Sequence, residues 1–155
     1  MTTAINNCMV KSLTKMLMAA LFCLSGCKPD LSDDAIPMAS FSALSININL
    51  PQYENLRTKG FIEINDIGVR GVILYRQSNI SYIAYERNCS YTPNEACATV
   101  NVDVSNLFLI DHCCNSTFDF ATGNATRGPA WRPLRRYETS FTGSSMLTIT
   151  DVVVN

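Results

Sequence analysis

The sequence predicts an all-β fold, a sandwich or a barrel. Three observations carry that prediction. Apolar and polar residues alternate in short runs, as on a half-buried strand. Turn-forming residues separate those runs at close, regular spacing, as in sandwiches and barrels. No long stretch repeats apolar residues at the i, i+3, i+4, i+7 spacing of a helix. Taken in order, Ile46, Ile48 and Leu50 alternate with Asn47 and Asn49, and Phe61-Ile62-Glu63-Ile64 forms a second short run. Gly71–Tyr75 and Ser81–Tyr85 flank Gln77-Ser78-Asn79, which reads as a hairpin turn. Val100, Val102 and Val104 alternate with Asn101 and Asp103, and Leu107 to Ile110 is apolar throughout. Gly123 marks a turn after Phe118-Asp119-Phe120. Gly143-Ser144-Ser145 turns the chain between Tyr137–Thr142 and Met146–Thr150.

The 155 residues allow one domain. A composition 47% hydrophobic and 16% charged excludes a disordered chain. A net charge of −1 argues against a dedicated nucleic-acid binder, and a single histidine limits metal and acid–base designs that need several.

The first 26 residues read as a processing segment. Lys11 and Lys15 precede the apolar run Met16–Leu24, which is too short to span a bilayer comfortably. Leu24-Ser25-Gly26-Cys27 then resembles the lipobox of bacterial lipoproteins, an apolar residue and two small residues before a cysteine. The resemblance implies cleavage before Cys27, lipidation of its thiol and anchoring of the mature chain in a membrane. Residues 27–43 are expected to be a polar tether and 44–155 the folded domain. Lys28 after the lipid cysteine resembles the sorting pattern for the outer membrane, and Ser32-Asp33-Asp34 resembles the export signal of Bacteroidetes surface lipoproteins.

Of the seven cysteines, Cys8 and Cys23 leave with the signal and Cys27 carries lipid. Cys89, Cys97, Cys113 and Cys114 remain, in a compartment that permits disulfides. They lie in two loops, Asn88–Cys97 and Asp111–Asp119, followed by Gly128-Pro129-Ala130-Trp131-Arg132-Pro133-Leu134-Arg135-Arg136-Tyr137.

In this order the segments resemble the Rieske iron–sulfur domain. That family places G-V-x-V-Y ahead of a C-x-H-x-x-C loop, then C-x-C-H-G-S-x-F-D, a glycine turn and G-P-A-x-x-P-L-x-x-Y. The match runs through Gly71–Tyr75, Cys89, Cys97, Cys113, Ser116, Phe118, Asp119, Gly123, Gly128-Pro129-Ala130, Pro133-Leu134 and Tyr137. It implies a Rieske-like fold of stacked antiparallel sheets with two cysteine-bearing loops and a proline lid over the cluster position. It also implies a loop-to-loop disulfide between Cys97 and Cys113, with a first loop three residues longer than usual.

The same alignment alters the ligands. A Rieske [2Fe–2S] cluster takes two cysteines on one iron and two histidines on the other. Cys89 keeps the first cysteine, whereas Tyr91 and Cys114 stand at the two histidine positions and Asp111 at the second cysteine. Phenolate and carboxylate do not match imidazole and thiolate in softness. Four readings of Cys89 and Cys114 stay open: a second disulfide, a metal site with Asp111, His112 or Tyr91, an atypical [2Fe–2S] site, or free thiols. His112 itself reads as a loop residue beside the cysteines.

Trp131 with Arg127, Arg132, Arg135 and Arg136 reads equally as a docking patch for an acidic protein or glycan and as a solvated segment with Trp131 filling a gap. No catalytic set appears, so an enzyme is not expected. Two functions follow as expectations. The first is a lipid-anchored, non-enzymatic binding or structural module that has lost the usual cluster ligands and carries no cofactor. The second is an electron-transfer or metal-binding protein with an altered [2Fe–2S] or zinc site.

Overall fold

The computed structural model describes residues 34–155. The export signal and Cys27, expected to be lipidated, lie outside the described residues. No helix among the described residues is long and apolar enough to cross a membrane.

Ten strands form two antiparallel sheets. They are β1 (Leu44–Asn47), β2 (Phe61–Ile64), β3 (Val72–Arg76), β4 (Tyr82–Glu86), β5 (Val100–Val102), β6 (Leu109–Asp111), β7 (Ser116–Phe118), β8 (Ala125–Arg127), β9 (Arg136–Thr142) and β10 (Met146–Val153). The larger sheet has the order β1-β10-β9-β4-β3-β2, and the smaller β5-β6-β7-β8. The fold class is therefore the all-β one read from the alternating runs, with two departures. A single 3-10 turn at Pro51–Tyr53 leads into a short helix, α1 (Glu54–Thr58). It buries only Leu56, too little to leave a helical period in the sequence. The first strand also stops at Asn47, because Leu50 amide bonds back to the Asn47 carbonyl and closes a turn before Pro51.

Strand β3 shows why the sheets stack. Val72, Ile73 and Leu74 are all fully buried, and the period of two sends them to different cores. Val72 and Leu74 join Ile46, Ile62, Ala84, Tyr137, Leu147 and Ile149 on one face. Ile73, with Tyr85 from β4, packs on the other face against Val100, Leu109 and Phe118 of the smaller sheet. Each such aliphatic or aromatic side chain contributes about 1.5–3 kcal/mol on full burial. The second core also holds Cys89, Ala98, Ala130 and Leu134, so the roots of all three candidate loops are sunk in it.

Residues 34–43 have no regular structure and are bonded along the domain. Arg132 Nη1 donates to the Asp34 carbonyl at 2.9 Å and Arg135 Nη2 to the Ile36 carbonyl at 2.9 Å. Phe41 packs edge-on against Tyr137, with ring centroids 5.1 Å apart. The segment is laid along the domain by arginines whose role was not visible in its own sequence.

Candidate functional site

Three loops meet at one end of the smaller sheet. Loop 1 (89–98) joins β4 to β5, loop 2 (112–115) joins β6 to β7, and loop 3 (128–135) joins β8 to β9. Loop 1 is closed at its root by Cys89 amide to the Ala98 carbonyl, 3.1 Å, and Val100 amide to the Arg87 carbonyl, 2.7 Å. Loop 2 is a hairpin turn whose last cross-strand pair is Asp111 with Ser116. The Asp111 carboxylate accepts the Cys113 amide at 2.8 Å, an Asx turn that aims the carboxylate inward. Asn115 then takes a left-handed φ of 58°, a conformation that asparagine tolerates. Loop 3 lies directly on loop 2. A Cβ on Gly128, at φ 90°, would come within 2.6 Å of Ser116 Cα, so only glycine permits the approach.

The disulfide implied by the Rieske resemblance is present. Cys97 and Cys113 are bonded, with Cα atoms 5.5 Å apart, and staple loop 1 to loop 2. Both lie at the exposed rim.

Cys89 and Cys114 are free thiols, their sulfurs 3.9 Å apart. With Asp111 they form a group whose donor atoms all lie within 4.8 Å of one another. Cys114 Sγ is 3.3 Å from Asp111 Oδ2 and 3.0 Å from Ser116 Oγ, and Ser116 Oγ also accepts the Ala130 amide at 3.0 Å. Cys89 and Asp111 are fully buried, whereas Cys114 is half-buried. Burial pushes the Cys89 thiol far above its usual range, and the Asp111 carboxyl beside it adds to the rise. The Tyr91 amide pulls weakly the other way. Such a thiol is a poor nucleophile in the absence of a metal.

Of the four positions that the Rieske resemblance gives to ligands, Cys89, Asp111 and Cys114 come together. Tyr91 is half-buried and packs against the second core, the one that also holds Cys89. His112, the only histidine, is exposed and outside the group. A Rieske cluster needs two ligands on each of two irons, one iron held by imidazoles. Three donors without a histidine do not fit it. The Trp131 segment is divided in a similar way. Trp131 is 64% exposed, with the Arg132 guanidinium 5.5 Å from its ring centre, but Arg132 and Arg135 are engaged with backbone carbonyls.

Several residues that build the site gave no motif. Glu86 is fully buried and accepts four hydrogen bonds, from the amides of Val69, Arg70 and Asn88 and from the Tyr137 hydroxyl, at 2.7–3.0 Å. Arg70 reaches loop 1 through Asn88 Oδ1 at 2.9 Å, the Ala96 carbonyl at 2.7 Å and the Glu95 carbonyl at 2.6 Å. Arg132 grips the Ser90 carbonyl with Nε and Nη2, at 3.1 and 2.6 Å, while Ser90 Oγ donates to the Arg132 carbonyl at 2.7 Å. Loop 1 is thus held from both sides. A cleft of about 520 Å³ lies elsewhere, between α1 and β2, lined by Tyr53, Lys59, Glu63 and Asp66 among others. None of the cysteines lines it.

No family model matches the chain, and no curated protein matches it. Among solved structures it is similar to the cyanobacterial plasma membrane Rieske protein PetC3 from Synechocystis PCC 6803. The identity is 26%, over 66% of this chain and 97% of that one, with a TM-score of 0.48.

Proposed function

We propose that this chain is a lipid-anchored, Rieske-fold lipoprotein that works as a non-enzymatic binding or structural module without the usual [2Fe–2S] cluster. The observation that carries the proposal is the donor set at the cluster position: Cys89, Asp111 and Cys114, with the sole histidine, His112, turned to the surface. The ordered motifs from Gly71 to Tyr137 and the Cys97–Cys113 staple support the family reading. The lipobox-like Leu24-Ser25-Gly26-Cys27 supports an anchor in the cell envelope, with the outer membrane as the favoured address. Exposed Trp131 at the loop end is the feature best placed to meet a protein or glycan.

The test is spectroscopic. The full chain, purified in detergent without oxygen, is expected to show no iron–sulfur absorbance and, after reduction, no electron paramagnetic resonance of a [2Fe–2S] centre. Such a signal would overturn the module reading and restore electron transfer. The anchor is tested by Cys27→Ala, which should move the protein out of the membrane fraction; full membrane retention would contradict it. A second reading, a metal-binding protein with an altered site, is favoured by the closeness of the three donors.

A further inference from the structure

We infer that Cys89, Asp111 and Cys114 form a mononuclear site for a thiophilic divalent cation of the zinc type, with its fourth position open to water. The inference rests on the reading that no binuclear cluster occupies this position.

The distances favour one ion. Two thiolates bound at about 2.3 Å to a tetrahedral ion lie about 3.8 Å from each other, and a carboxylate oxygen at about 2.1 Å lies about 3.6 Å from each sulfur. The observed separations are 3.9 Å between the sulfurs and 3.3 Å from Cys114 Sγ to Asp111 Oδ2. The third pair falls within the 4.8 Å group.

The second argument is the carboxylate. Buried carboxylates are paired with a cation, fully hydrogen-bonded or bound to metal. Glu86 takes the middle course, with four donors. Asp111 is equally buried, but besides one backbone amide its donors are thiols, Cys114 Sγ at 3.3 Å among them, which are weak ones. The sole ion pair among the described residues, Arg87 with Glu63, leaves Asp111 without a cationic side chain. A divalent ion replaces those weak donors with a full positive charge.

The surroundings are those of a held site. Asp111 and Cys114 come from one hairpin, fixed by the Asp111–Ser116 pair, and the Cys97–Cys113 bond prevents that hairpin from moving away from loop 1. The second oxygen of Asp111 is taken by the Cys113 amide, and Ser116 Oγ, itself fixed by the Ala130 amide, sits beside Cys114. Such outer contacts orient ligands. Half-buried Cys114 gives the ion and its water a way in. Two sulfurs and one oxygen favour zinc over magnesium or calcium. Binding moves no electrons. Each thiol gives one proton to solvent as it becomes a thiolate, so affinity should rise with pH.

The experiment uses the full chain in detergent, stripped with a chelator without oxygen and titrated with Co²⁺. One equivalent should bind, with thiolate-to-cobalt charge-transfer absorbance and the visible bands of a tetrahedral ion, and Zn²⁺ should erase both. Cys114→Ser and Asp111→Asn, checked for native circular dichroism, should each weaken binding at least ten-fold. No cobalt uptake by a sample in which Cys89 and Cys114 both count as thiols would overturn the metal site and leave the module reading standing. So would binding that Cys114→Ser leaves unchanged. Two irons with two acid-labile sulfides in the purified protein would instead remove the reading beneath both.

Discussion

Glu86 ties three separate segments of the chain together. Its two oxygens fasten the Val69–Arg70 turn, the root of loop 1 at Asn88 and the hydroxyl of Tyr137 on β9. Glu86→Gln keeps the shape but turns an amide donor toward groups that are themselves donors. Each donor left without a partner costs about 1–3 kcal/mol, so urea unfolding should shift by at least that much. An unchanged midpoint would show that the network does not carry load. Two tyrosines give a pH signature. Burial raises Tyr85 and Tyr137 above the ordinary tyrosine value, and Glu86 adds to the rise at Tyr137. A raised folded-state pKa leaves its stabilisation intact below about pH 10, where unfolded tyrosine ionises, and loses it as pH climbs toward the folded value. Alkaline titration should therefore show a delayed class of tyrosines that ionises with unfolding. A single normal wave would contradict the buried placement.

Among the elements, the three loops surround the donor group, and the disulfide ties two of them together. The bond between Cys97 and Cys113 closes a segment with a sequence separation of 16, which restrains the unfolded chain by about 3 kcal/mol. Removing both cysteines by Cys97→Ala with Cys113→Ala should cost about that much in thermal or denaturant unfolding. It should also speed alkylation of Cys114, which the staple holds against Asp111. Slow, unchanged alkylation would mean that hydrogen bonds alone fix loop 2. The elements differ in how well the sequence announced them. Strands β3, β4, β9 and β10 bury alternate or continuous apolar residues and were legible for that reason. Strand β8 was not, because Ala125, Thr126 and Arg127 are largely exposed and become a strand only through pairing with β7. Helix α1 escaped because one buried leucine makes no pattern.

Across the whole molecule, the site was legible only where the chemistry sits in a local motif. Cys89, Asp111 and Cys114 could be placed by their order around recognisable loops. The residues that hold those loops could not. Arg132 acts on Ser90 across 42 residues and Tyr137 on Glu86 across 51, distances at which composition and spacing say nothing. The fold reading makes a constructive prediction. Introducing the ligands that the sequence resemblance implies, with Tyr91→His, Asp111→Cys and Cys114→His, should let the folded chain take up a [2Fe–2S] cluster when iron and sulfide are supplied. A folded variant that stays colourless would count against a Rieske-type site at this position. The central claim, that one metal site with two thiolates stands where two irons would, is tested most directly by counting atoms. Zinc, iron and acid-labile sulfide should be measured per chain on protein purified without oxygen or added metal. One zinc with neither iron nor sulfide is the predicted result. Two irons and two sulfides would contradict it.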